Sequence, residues 1–170
     1  MPDDVVSKLD LNSLLLPLHG LTLQEKEAVG RDLYAKLYLT SQVFGIHGLH
    51  DGQEVIFHVR QFDHAFFTSP DLRNYPNRKD KLDEHRVERV RWIAELISGR
   101  VGGSACWEVG SRSGRPGLPN RLYVVYSPGY VVWLEPRTRA GVNWSFSSDY
   151  SAPPAYLREI TKTGARLAVF

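Results

Sequence analysis

The sequence predicts an α+β fold: N-terminal helices packed on an antiparallel sheet of about four to five strands. Helical periodicity is concentrated in the first hundred residues, and short β-rich runs crowd the rest. Helices followed by strands, rather than alternating with them, give segregated layers. A chain of 170 residues with 42% hydrophobic content is long enough for one core that buries roughly 70% of the unfolded surface. The single cysteine, Cys106, excludes an internal disulfide and a cysteine-based zinc site, and fits a reducing compartment. No apolar run approaches the roughly 20 residues of a membrane span. The acidic start Pro2-Asp3-Asp4 lacks the basic region of a secretory signal. The expected location is therefore cytoplasmic, with no membrane partner.

Each element has its own signal. Leu9 to Leu18 is leucine-rich and reads as a short packed helix or a docking segment. Thr22-Leu23-Gln24-Glu25 is a capping box, and Leu33, Tyr34, Leu37 and Tyr38 continue at helical spacing. After the turn residues Gly45, Gly48 and Asp51-Gly52, alternation through Val55, Phe57 and Val59 marks a strand. The clearest helix runs from about Lys81 to Ser98, with Asp80 as its cap and Gly99 as its stop. Beyond it come four β-rich runs, 105–109, 122–126, 130–135 and 142–147, with 166–169 as a fifth. Residues 110–120 form a longer Gly/Pro/Ser/Arg connection. Two parts are expected: an N-terminal helical segment, 1–50, and an α+β domain, 51–170.

The net charge of +2 conceals a gradient. Residues 1–57 hold four Lys/Arg against eight Asp/Glu, whereas residues 58–170 hold seventeen against eleven. From residue 101 onward, seven of eight basic residues are arginine, whose planar fork suits bidentate phosphate contacts. A solvated basic surface is the plain reading, and a nucleic-acid partner the pointed one.

Within the helix expected over 81–98, Arg86 and Arg89 fall in the same stripe as Leu82, Val90, Ile93 and Ile97, while Glu84, Glu88, Arg91 and Glu95 form the polar face. Two inward guanidiniums are costly unless they are paired or hydrated. Either Asp63, Asp83, Glu108 or Glu135 meets them, or they line a cleft that receives an anion. His58, His64 and His85 flank the same helix, where an imidazole serves as acid or base, or simply as a hydrogen-bonded residue. His47-Gly-Leu-His50-Asp51 offers three metal-ligand types without an evident fourth, so no metal site is assigned. Cys106 reads as core. Hydrolase-elbow, P-loop and dinucleotide fingerprints are missing. Phe146-Ser147-Ser148-Asp149-Tyr150 closes a strand, where hydroxyls bind phosphate or only cap a turn.

The segments Phe62-Asp63-His64-Ala65-Phe66, Leu82 to Ile93 with its D-x-x-R-x-x-R-x-x-W-I core, Asn120 to Val125, and Ser147-Ser148-Asp149-Tyr150 together resemble the PBECR nucleases. These are phage-associated domains of the barnase, EndoU, colicin tRNase and RelE-like class. The likeness covers about two thirds of the chain, from Ile56 to Phe170. It implies helices on one face of an antiparallel sheet of about four strands, and metal-independent cleavage of RNA, with tRNA among the candidate substrates, in a toxin, phage or defence setting. By this resemblance His64 is general base or acid, Arg86 and Arg89 are phosphate and transition-state ligands, and Ser148 with Tyr150 forms a phosphate or proton-transfer group. Arg112, Arg115 and Arg121 are implied positioners of the RNA backbone. No cofactor or metal is called for. The acidic residues 1–50 are the expected contact for an inhibitor, immunity or associated protein. The alternative is a non-catalytic RNA- or protein-binding module that retains the fold.

Overall fold

The computed structural model describes residues 9–110, 118–137 and 142–170. It has an α+β architecture with a seven-stranded mixed sheet in the order β1-β2-β8-β7-β6-β5-β9. The strands are β1 (Phe44–Gly48), β2 (Glu54–His58), β5 (Ser104–Val109), β6 (Asn120–Val125), β7 (Tyr130–Pro136), β8 (Trp144–Ser151) and β9 (Ala165–Val169). β3 (Phe67–Thr68) and β4 (Lys81–Leu82) form a separate two-stranded ribbon. The sheet is thus wider than the expected four to five strands, and it is not wholly antiparallel. β2 joins β8 in parallel through only two residue pairs, Val55 with Trp144 and Ile56 with Ser145.

β1 supplies one of the unforeseen strands, because its sequence, Phe-Gly-Ile-His-Gly, reads as a turn. Gly45 is there for space: a Cβ on it would lie 2.0 Å from the Tyr38 carbonyl oxygen at the end of the first helix.

That helix, α1 (Leu23–Tyr38), begins with the capping box. Thr22 Oγ1 accepts from Glu25 N, and the Glu25 carboxylate accepts from Thr22 N at 2.7 Å. Tyr34 and Tyr38 are buried and stitch α1 to its neighbours. Tyr34 donates to the His58 carbonyl, and Tyr38 donates to the Val90 carbonyl at 2.6 Å while accepting from Ala94 N. Residues 9–18 make a 3₁₀ turn (Leu11–Leu14) and then an extended run, placing Leu11, Leu16 and Leu18 in the main core.

The helix expected over 81–98 is broken. Lys81 and Leu82 pair with β3, Asp83 rather than Asp80 caps α3 (Glu84–Glu88), and α4 (Val90–Ile97) restarts after Arg89 at φ −103°, ψ 11°. The break has a tertiary cause. Leu16 N takes the Glu88 carbonyl, so Trp92 N turns to Arg89, and the Tyr38 hydroxyl enters between Val90 and Ala94. Gly99 ends α4 at φ +73°, as expected.

Helices α1, α3 and α4 cover one face of the sheet, where Cys106, Tyr123, Val125, Tyr130, Val132, Leu134 and Phe146 meet them. An unanticipated helix, α5 (Pro154–Thr161), covers the other face by packing Leu157 on Leu122, Val124, Val131 and Trp133. Pro154 at its first position suits a helix start. No helix among the described residues is long and apolar enough to cross a membrane.

Candidate functional site

Because β2 leaves β8 after two residue pairs, the second half of β8 has helices beside it instead of a strand. The short α2 (Gln61–Phe66) lies there, and Gln61 Nε2 donates to the Ser147 carbonyl. α3 packs on β8 as well. β8 also carries a bulge: Trp133 faces Ser148 and Leu134 faces Phe146, leaving Ser147 as the extra residue. The bulge resets the alternation. Phe146 and Asp149 both point to the helical face, and Ser148 and Tyr150 point away from it.

A cleft of about 310 Å³ opens at this edge, lined by His64 from α2, Arg86 from α3, Ser147, Ser148 and Tyr150 from β8, Glu135 from β7, and Lys79 with Pro76 and Asn77 from the loop before β4. Four of the five residues expected to act catalytically therefore meet in one place. His64 is exposed, Ser148 is buried and Tyr150 is half-buried. The Arg86 guanidinium donates from Nη1 to the Ala65 carbonyl at 2.7 Å and lies 5.5 Å from the Tyr150 ring centroid. Its Nε sits 3.2 Å from Asp83 Oδ2, an ion pair that lacks hydrogen-bond alignment. Of the acids expected to meet it, Asp83 does so. Asp63 pairs with Arg31, and Glu135 accepts from the Ser147 hydroxyl. Tyr150 Oη accepts from Trp133 Nε1 at 2.8 Å, which fixes the phenol at the cleft wall.

Arg89 is not in the cleft. Its guanidinium donates to the His85 carbonyl at 2.7 Å, approaches Glu88, and lies over the Trp92 ring. The break after α3 turns it away from Arg86, so the shared stripe of an unbroken helix never forms. Arg121 is also elsewhere. It is 5% exposed, donates to Asp51 Oδ2 at 2.8 Å and covers the Trp144 ring, and so does not reach the surface to position RNA. Arg112 and Arg115 lie outside the described residues. Trp92 is core, as expected. His47, His50 and Asp51 do not converge: His47 meets the Tyr38 carbonyl, His50 the Tyr123 hydroxyl, and Asp51 the Arg121 guanidinium. Among the described residues no group of three or more His, Cys, Asp or Glu side chains could hold a metal ion.

The sequence reading missed Asp149. It is fully buried between Ser148 and Tyr150, and it accepts from the Tyr130 hydroxyl at 2.6 Å. Its Oδ1 has no hydrogen-bond partner. Burial pushes this carboxyl up to about 7, against the Tyr130 hydrogen bond and the charges of Arg86 and Arg89. Turn chemistry masked it in the sequence, because Ser-Ser-Asp reads as a strand-ending cap, whereas the strand runs on to Ser151. Lys79 was missed for lack of any pattern in its loop.

Comparison with known proteins returns nothing: no protein-family model, no curated protein and no solved structure matches this chain.

Proposed function

We propose that the β8-edge cleft belongs to a metal-independent endoribonuclease of the PBECR kind, with RNA, including tRNA, as its substrate class. The observation that carries this reading is the convergence of His64, Arg86, Ser148 and Tyr150, from three elements distant in sequence, on one cleft. The volume, at the small end of ligand sites, admits one phosphodiester and its flanking sugar.

The chemistry requires three services. A base takes the proton of the RNA 2′-hydroxyl, whose oxygen bonds to the adjacent phosphorus. The bond from phosphorus to the 5′-oxygen breaks, and an acid protonates that leaving oxygen. Cations stabilise the crowded phosphoryl group between the two events. His64 is one of the two proton-transfer groups. Arg86, fixed by Ala65 and Asp83, presents a permanent positive charge, with Lys79 in the same cleft lining. Ser148 and Tyr150 supply hydroxyls to phosphate oxygens or to the second proton transfer. The products are a 2′,3′-cyclic phosphate and a 5′-hydroxyl.

Incubating the purified chain with total RNA in EDTA tests this. Cleavage that His64→Ala and Arg86→Ala abolish with folding intact supports it. Binding of RNA without cleavage by the native chain favours the non-catalytic module instead.

A further inference from the structure

The face of the sheet that bears Ser148 and Tyr150 carries a second cavity. It measures about 410 Å³ and is lined by Trp107 of β5, Tyr126 after β6, and Arg158, Thr161 and Lys162 of α5 and its end. Trp107 and Tyr126 are half-buried, Arg158 and Lys162 are exposed, and the Arg166 guanidinium of β9 lies 6.0 Å from the Trp107 ring centroid. Among the described residues, neither Arg158 nor Arg166 enters an ion pair, and Lys162 has only Glu159 at 4.0 Å. Trp107 Nε1 is buried with no hydrogen-bond partner. Trp107 and Tyr126 thus present aromatic faces beside the exposed cations Arg158 and Lys162, with Arg166 next to Trp107. Together they suit a ligand with a π-face and negative charge.

Strand register ties this cavity to the cleft. Trp107 faces Leu122, Leu122 faces Trp133, and Trp133 faces Ser148, one cross-strand row on one face. Its ends are three strand spacings apart, about 14 Å. α5 covers the middle of the row through Leu157, leaving the two ends open.

We propose that the Trp107/Tyr126/Arg158/Lys162 cavity is a second, non-catalytic contact for single-stranded RNA. It stacks a base on the aromatic side chains and holds a flanking phosphate on Arg158 and Lys162, while the strand passes over α5 to reach the Ser148 end of the row. The identity of the ligand as RNA rests on the reading of the cleft given above. A dinucleotide is too short to occupy both ends, so affinity rises with length.

The test uses the full chain and a labelled ten-nucleotide 2′-O-methyl RNA, which lacks the attacking hydroxyl, with anisotropy as the readout. Arg158→Glu with Lys162→Glu, both at exposed positions, is expected to weaken binding at least tenfold. The slope of log K against log salt is expected to drop by about 0.7, as for one lost phosphate contact on a single strand. Trp107→Leu is expected to weaken the RNA about tenfold and leave inorganic polyphosphate of similar charge unaffected. Unchanged decamer affinity in the double variant overturns the proposal, even if the cleft cleaves RNA. Equal loss of polyphosphate and RNA in Trp107→Leu overturns it too, by reducing the cavity to an anion patch. If the double variant loses the decamer but no RNA is ever cleaved, the second contact stands and the nuclease reading falls.

Discussion

Two arginine sites, one at the β8 edge and one on β6, are built from nearly the same parts and come out differently. On β6, Arg121 is paired with Asp51 and stacked on Trp144, and His50 bonds Tyr123, which neighbours Cys106. Burial there lowers the His50 basicity and pushes the Cys106 thiol up to about 11. Despite burial, the Gln53 N–H and Arg121 hold the Asp51 carboxyl below its usual range. Arg121 is thus held from within through its Nη1, although its Nε, like that of Arg86, has no hydrogen-bond partner. At the β8 edge Arg86 also has a carboxylate beside it, but the pair is misaligned and a cleft with His64, Lys79 and Tyr150 opens over it. An arginine, a histidine and a tyrosine therefore make a structural network where the geometry closes. Where a strand edge is left open, the same residue types line a cleft.

Substitutions break this contrast in order of size. Arg86→Ala is expected to lower kcat/KM for RNA roughly 100- to 1000-fold, the usual cost of removing one preorganised charge-stabilising donor, read by initial rates on a defined oligonucleotide. Arg121→Ala is expected to cost about 2 kcal/mol of stability through the lost charged hydrogen bond to the solvent-accessible Asp51 and the lost stacking on Trp144, seen as a lower urea midpoint at unchanged m-value. A loss of RNA cleavage per folded molecule comparable to that of Arg86→Ala would erase the distinction. Arg89→Ala is expected to cost about 1 kcal/mol through its lost hydrogen bond to His85. Its activity is expected to fall far less than that of Arg86→Ala, because Arg89 faces Trp92 rather than the cleft.

Asp149 gives the contrast a pH signature. Its folded carboxyl titrates near 7 and an unfolded one near 3.8. Between these values the native state binds one more proton than the unfolded chain, so this group's contribution to stability falls as pH rises from about 4 to 7, and is complete only below that window. Asp149→Asn removes this fall. Thermal midpoints of the two proteins are expected to diverge progressively above pH 5, with the asparagine form the more stable at pH 8. Parallel profiles would show that the carboxyl does not titrate there.

Local signals wrote much of this fold legibly into the chain. The Thr22 capping box, the Gly99 stop and the alternation from Val55 onward all act through neighbours in sequence, and each is found where expected. What sequence could not reveal depends on distant partners. The break before α4 is imposed by Leu16 and Tyr38, and β1 hides behind two glycines, of which Gly45 is required by the end of α1. Four residues of the cleft lining, His64, Arg86, Ser148 and Tyr150, were legible singly in the sequence. The inward turn of Asp149 follows from a bulge that only the pairing of β7 with β8 reveals.

The most direct measurement is the cleavage of a defined RNA oligonucleotide in EDTA, alongside the same oligonucleotide with a single 2′-deoxy substitution at the cleaved position. The account predicts 2′,3′-cyclic phosphate and 5′-hydroxyl ends from the first and an uncut bond in the second. Cleavage beside the 2′-deoxy residue, or intact RNA in both, would contradict it.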